Sequence, residues 1–265
     1  MVGSSGGGDI WQFTVNTEAT TQGGKKTGIP FNLYGQDSVV LTVDWGDGTT
    51  NRLTSSDYQG LGYTVNASYG SIHEYTVPGV YNISVLMHSP SETYIERAGS
   101  AVAIGGCLDL FKKTLVSLDN AIPAIKGNRF YNSSNNNTFL RDNSIYCLFY
   151  GCQKLHSING FVFDKMRSLI DASYVFVGCS SIASIPDTLF AENNELETLE
   201  SVFSSCSSLG DVVLHITSPI VNSCTDVISP KKEEATRTIY VPSGSTTETT
   251  FNAVAAGLGL TIIGE

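Results

Sequence analysis

One hydrophobic pattern is written three times in the middle of the chain. Residues 146–158 read YCLFYGCQKLHSI, residues 173–185 read SYVFVGCSSIASI, and residues 200–212 read ESVFSSCSSLGDV. Phe149, Phe176 and Phe203 recur every 27 residues, and so do Cys152, Cys179 and Cys206. Leu155, Ile182 and Leu209 keep the register, as do Ile158, Ile185 and Val212. Phe163 matches Phe190, and Leu169 matches Leu196. A fixed period of this size predicts stacked coils, each burying its apolar residues only against its neighbours. Equivalent residues then lie one strand spacing apart, about 4.8 Å. Each unit reads as a short helical piece (YVFVGC, ESVFSSC), a corner at the cysteine, and a strand of the form LxxI. The cysteine is small and tolerates burial, which suits a corner. Free thiols packed in a column, a disulfide between adjacent coils, and a reactive thiol are the three readings of that position. An earlier, degenerate unit is expected at Leu115-Val116-Ser117-Leu118. Its distance from the next unit exceeds the period by an inserted polar stretch, residues 132–144, which reads as an exposed loop.

The first hundred residues follow a different period. Ile10 to Val15 alternate, as do Leu41 and Val43 with their neighbours, and Tyr81, Ile83 and Val85 share one face. Asp44-Trp45-Gly46-Asp47-Gly48 and Pro78-Gly79 are turn signals, and GGKKTG reads as another turn. Residues 10–100 therefore read as short antiparallel strands in a small β-sandwich. Residues 1–9 are flexible by composition. The 27-residue period occupies residues 101–228. Residues 229–265 then supply a strand (IYVP), an amphipathic stretch and a last strand (LTII), and read as a C-terminal cap closing the apolar end of the array.

Composition narrows the function classes. The formal charge is −10 and the pI about 4.8, so a phosphate backbone is repelled and nucleic acid is not an expected partner. Charged residues make up only 15% of the chain, below the roughly 25% of ordinary soluble domains. No window is apolar enough for membrane insertion. The stretch MVGSSGGGDI has neither a basic nor an apolar region, so no secretory signal is expected. The six cysteines contain no CxxC pair, and none of the four histidines is spaced to pair with another as metal ligands. No metal and no cofactor are expected.

Candidate chemistry is sparse. Asp44 and Asp47 share one glycine turn, where paired carboxylates suit acid–base work or a cation, and where Asp-Gly is also an ordinary turn pair. His73 lies in a strand signature and reads as a structural hydrogen-bonding residue. His156 stands where the next two units have Ala183 and Gly210, on an outward face where it is either simply exposed or a ligand contact, and it joins the candidate recognition residues. Tyr58, Tyr63 and Tyr69, in a loop at 55–70, and Phe130 and Tyr131, in a loop at 128–144, form an aromatic set suited to a recognition surface.

Two resemblances rest on these residues. VDWGDGTT followed by HEYTVPGVYNISV resembles the PKD family of immunoglobulin-like domains over roughly residues 10–90. FVGCSSIASIPDTLFAENNELETLESVFSSCSSLGDV resembles BspA-like leucine-rich repeats, and the match extends over about residues 105–228. It departs at Asn159, where the next unit has Pro186. The fold implied is mainly β with short helices: an immunoglobulin-like β-sandwich, then a short leucine-rich-repeat solenoid with its cap. The function implied is not enzymatic. A PKD-like module before BspA-like repeats resembles phage tail-associated proteins and implies a bacteriophage virion protein (decoration, tail or fibre), with host attachment as one use. Its partners would be other virion proteins and a bacterial surface glycan or protein, and its place the virion, assembled in the host cytoplasm. The alternative is a bacterial cell-surface adhesin of the BspA-like type. A homo-oligomer is compatible with a fibre role, although no heptad or collagen-like segment specifies one.

Overall fold

A computed structural model describes residues 10–19, 25–29, 31–32, 40–54, 71–88, 90–96, 107–132, 137–220, 222–228 and 235–265. The chain is mainly β with few short helices. In order, the strands are β1 (Ile10–Asn16), β2 (Lys26–Ile29), β3 (Phe31–Asn32), β4 (Val40–Asp44), β5 (Thr50–Thr54), β6 (Ser71–Glu74), β7 (Val80–Met87) and β8 (Tyr94–Glu96). Helix α1 (Cys107–Thr114) precedes β9 (Leu115–Leu118), β10 (Gly127–Asn132), β11 (Asn137–Asp142), β12 (Ser157–Ile158), β13 (Val212–His215) and β14 (Arg237–Val241). Helix α2 (Thr246–Leu258) and β15 (Thr261–Gly264) end the chain.

Alternation in β1 decides its faces. Trp11, Phe13 and Val15 are fully buried, while Gln12 and Ile10 are exposed. β1 pairs antiparallel with β7 on one side and with β9 on the other. β4 and β5 extend the β7 edge, and β12 adds to β9 in parallel, with Ile158 opposite Leu118. The resulting six-stranded sheet, β12-β9-β1-β7-β4-β5, draws strands from both sides of residue 100. The core is likewise continuous. Phe149 lies 6.3 Å from Trp11 and 6.4 Å from Phe111 between ring centroids, so the first repeated phenylalanine packs on the N-terminal sheet and on α1.

From Ser144 onward the repeat becomes a physical ladder. Parallel bridges join Ser144 to Asp171 and Asp171 to Thr198, each 27 residues apart, and the ladder goes on from Thr198 to Ser223, 25 residues further. In each unit alternate N–H groups leave for the next one: Cys147, Phe149 and Gly151 donate to the carbonyls of Ser173, Val175 and Val177. Tyr174, Phe176 and Gly178 donate in the same way to Glu200, Val202 and Ser204. Rings stack in step, with Phe149–Phe176, Phe176–Phe203 and Phe163–Phe190 each 5.5 Å apart. Each fully buried phenylalanine contributes roughly 1.5–3 kcal/mol by leaving water.

Several expectations are corrected here. The expected helical pieces are runs of turns. Their alternate N–H groups bond the neighbouring unit, and Cys147, Tyr174 and Ser201 take left-handed φ of 58°, 60° and 52°, which a right-handed helix cannot contain. The LxxI segments are strand only at Ser157–Ile158 and Val212–His215; residues 182–185 are not a strand. The inserted stretch is not a loop throughout, because Asn137–Asp142 pairs antiparallel with β10 as a hairpin. The four polar residues 133–136 that connect these strands lie outside the described residues. Lys26-Thr27-Gly28, expected in a turn, belongs to β2 and pairs with β6.

The C-terminal segment continues the array. β13 pairs in parallel with β14, and β14 with β15. Helix α2 crosses between them and is capped at both ends. The Ser245 side chain accepts from the Glu248 N–H, and Gly259 takes φ 64° beyond the last turn. Thr247 anchors the helix to the last unit, donating to Ser218 O at 2.5 Å and accepting from the Ile220 N–H at 2.9 Å.

Candidate functional site

The repeated cysteines occupy fixed chemical places. Cys152, Cys179, Cys206 and Cys224 are buried, unbridged thiols, as is Cys147. The Cys179 thiol donates to Phe149 O at 3.1 Å, and the Cys206 thiol to Phe176 O at 3.2 Å. Those carbonyls also accept the N–H groups of Cys152 and Cys179, so two lone pairs receive two donors. A phenylalanine carbonyl in one unit is thereby shared between its own turn and the next unit's side chain. Burial pushes the Cys152 and Cys206 thiols up to about 12 and Cys224 to about 11. Cys179 is pushed well above the ordinary range by burial first, then by the two flanking thiols. A nucleophile needs the thiolate, and this environment opposes it.

The carboxylate–histidine arrangement in the glycine turn is equally committed. Asp44 Oδ1 accepts the Gly46 N–H at 2.9 Å, and Asp47 Oδ1 accepts the N–H and hydroxyl of Thr49. The other Asp47 oxygen meets His73 Nε2 at 2.8 Å. The His73 ring stacks on Trp45, centroids 4.7 Å apart, and meets the edge of Tyr75 at 4.5 Å. Tyr75 donates to Trp45 O at 3.0 Å and stacks on Tyr81. Burial pushes the Asp47 carboxyl upward, but the hydrogen bonds from Thr49 and His73 outweigh it and hold the group at about 2. Burial raises the Tyr75 phenol. The cluster ties β6 and β7 to the β4–β5 turn.

The predicted recognition residues do not gather into one described site. Tyr58, Tyr63 and Tyr69 lie outside the described residues. Phe130 and Tyr131 are placed in β10, but their side chains lie outside the description. His156 is exposed; its Nδ1 lies 3.2 Å from Lys154 O, and its N–H donates to Val116 O.

A different surface emerges from the register. His215, Tyr240 and Ile263 are neighbours across β13, β14 and β15. His215 stands 27 residues after Thr188, which stands 27 after Phe161. The Thr188 hydroxyl bonds Gly160 O at 3.4 Å, and the His215 N–H bonds Asp187 O at 3.1 Å, which brings the three units side by side. Phe161 is 60% exposed, Val213 41% and Ile263 37%. His215 stacks on Tyr240 at 4.6 Å, and its Nδ1 lies 3.7 Å from the Glu265 carboxylate. The outcome is a row running from Phe161 through Thr188, His215 and Tyr240 to Ile263, in which exposed aromatic and apolar side chains are interrupted by the Thr188 hydroxyl. Sequence reasoning missed it because the members come from three separate units and the C-terminal segment. The one legible signal was Phe161, an apolar residue at a position polar in the next two units.

Among the described residues, no group of three or more His, Cys, Asp or Glu is placed to hold a metal. Among them also, no helix is long and apolar enough to cross a membrane. No protein-family model matches the chain, and neither a curated protein nor a solved structure matches it.

Proposed function

We propose that the chain is a non-enzymatic bacteriophage virion protein, a decoration, tail or fibre component that presents a binding surface, with host attachment as one use. Its architecture on this reading is a PKD-like β-sandwich over residues 10–100 after a leader of nine residues. A BspA-like leucine-rich solenoid over residues 101–228 and a cap over 229–265 complete it. One observation carries the reading: a hydrogen-bonded ladder runs from the N-terminal sheet through the repeated units to the C-terminal sheet. Such an array is stiff along its length and holds one continuous face outward, as a presentation scaffold requires. The groups that would otherwise suggest catalysis, the thiols and the Asp47–His73 pair, are engaged in bonds that hold this scaffold together. The strip from Phe161 to Ile263 is the face offered to other virion proteins or to a glycan or protein on a bacterial surface, by one copy or by a homo-oligomer.

Immunogold electron microscopy of purified phage particles and of intact cells from the source tests the proposal. Gold on capsids or tails is the expected result, and the labelled part separates decoration from attachment. Gold confined to the cell envelope rejects the virion reading in favour of a cell-surface adhesin.

A further inference from the structure

The ladder ends in an open sheet edge. β15 pairs with β14 and is the last strand of its sheet. Glu265 donates its N–H to Val241 O at 2.9 Å and accepts from the Ser243 N–H at 3.0 Å. In a parallel pair a residue sends its N–H and C=O to the same side, so Thr261, Ile263 and Glu265 address β14. The N–H and C=O of Ile262 and Gly264 are turned the other way, and among the described residues no backbone group meets them. At β13 the opposite edge is taken, because the His215 N–H donates to Asp187 O in the preceding unit.

Folded proteins guard such edges with charge or proline. The other free edges of four or more residues carry charge: Arg52 lies in β5, Arg141 and Asp142 in β11, Lys26 in β2 and Glu74 in β6. β15 reads TIIG, with neither charge nor proline. Ile263 is exposed at the end of the row from Phe161, while Ile262 is half-buried against the core that includes Phe251 and Leu258 of α2. Beyond Glu248 the exposed positions of α2 are Thr249, Asn252, Ala253, Ala256 and Gly257, so no charge on that stretch of the helix opposes an approach to the edge.

We infer that β15 pairs with β15 of a second copy of this chain, antiparallel and across a two-fold axis at Ile263. The occupant is a second copy because the edge complements itself in bonds, apolar contact and charge. Ile262 of one copy exchanges both backbone bonds with Gly264 of the other, and Gly264 with Ile262. Ile263 then faces Ile263 at the closest cross-strand spacing, and Thr261 faces Glu265. Charge selects the direction. Glu248 lies beside Gly264, so Glu248 and Glu265 make one end of β15 acidic. Antiparallel pairing sets the two Glu265 residues about 14 Å apart along the strands, beyond the roughly 8 Å screening length of physiological salt, whereas in-register parallel pairing sets them side by side. The two three-stranded sheets become one, and their rows meet at Ile263. The inference goes beyond the virion reading and stands whether or not that reading does.

Sedimentation equilibrium of the full chain at physiological salt provides the test, over about 1 to 100 µM to bracket a micromolar dimer. The parent is expected to reach twice the 28.4 kDa of one chain. Ile263→Lys sets two like charges opposite each other at the axis and is expected to weaken association by about tenfold or more. Val213→Lys sets the same charge on the same sheet face, two strands from the edge, and is expected to leave the dimer unchanged. Both side chains are exposed, and thermal melts matching the parent verify folding. Ile263→Cys reads the geometry: diamide, which takes two electrons and two protons from a thiol pair, is expected to link two copies by a disulfide beyond any linkage in the parent. A parent that stays at the mass of one chain overturns the inference. So does a dimer unaffected by Ile263→Lys, a dimer lost in folded Val213→Lys, a mass above two chains, or no added cross-link in Ile263→Cys.

Discussion

Asp47 shows how a residue that reads as chemistry is used as structure. Its carboxylate accepts from Thr49 and from His73, and it is held at about 2 against an ordinary carboxyl near 3.9. A depressed carboxyl contributes stability that is complete above its unfolded value and lost as pH falls through the folded one. The window is therefore from about pH 4 down to about pH 2, and the contribution, after allowance for solvent screening, is about 1 kcal/mol. Urea unfolding of the parent should lose that amount across the window, while Asp47→Asn should show a flatter acid limb and a similar loss already at pH 7. The thiols make a second prediction at this scale. Site-resolved alkylation with iodoacetamide at pH 8 should leave Cys152, Cys179 and Cys206 unlabelled in the native protein and label them after denaturation. Native labelling of Cys179 at the rate of a free thiol would contradict its bond to Phe149 O. The repeated cysteine was plain in the sequence. Its donation to a carbonyl 30 residues back was not, because that depends on where the neighbouring unit lies.

At the scale of elements, the repeated turn is the informative piece. Gly151 and Gly178 take φ of 72°, and the equivalent Ser205 takes 61°. A left-handed L-residue carries roughly 1–2 kcal/mol of strain, partly offset because glycine loses more freedom on folding. Ser205→Gly should therefore raise the unfolding free energy by about 0.5–1 kcal/mol, and Gly178→Ala should lower it by a similar amount. Denaturant midpoints with unchanged slopes would measure both, and a destabilised Ser205→Gly would reject the strain argument. The same turn explains why a helical reading failed. VFVGC is compatible with a helix by local pattern, but the N–H groups of Phe176 and Gly178 find the next unit's carbonyls instead of their own turn. Hydrophobic spacing was legible, and the destination of each backbone donor was not.

At the scale of the whole molecule, one continuous core predicts cooperative unfolding. A single buried cluster runs from Trp11 through Phe149 and the stacked phenylalanines to Phe251 and Leu260. Calorimetric unfolding should give one transition. Phe149→Ala should lower it by about 3–5 kcal/mol without splitting it, because that ring touches the N-terminal sheet, α1 and the next unit at once. Two separated transitions would show that the sheet and the repeats fold independently. By itself the amino-acid sequence determined the 27-residue register, the alternation of β1, β4 and β7, and the turns at Asp47-Gly48 and Pro78-Gly79. All of these follow from local spacing and side-chain type. Only the tertiary structure decided that β9 and β12 join the first sheet and that β10 and β11 form a hairpin. It also brought Phe161, His215, Tyr240 and Ile263 into one row. Those outcomes depend on which backbone edges and side chains meet across large separations in the chain, and no local pattern encodes that distance.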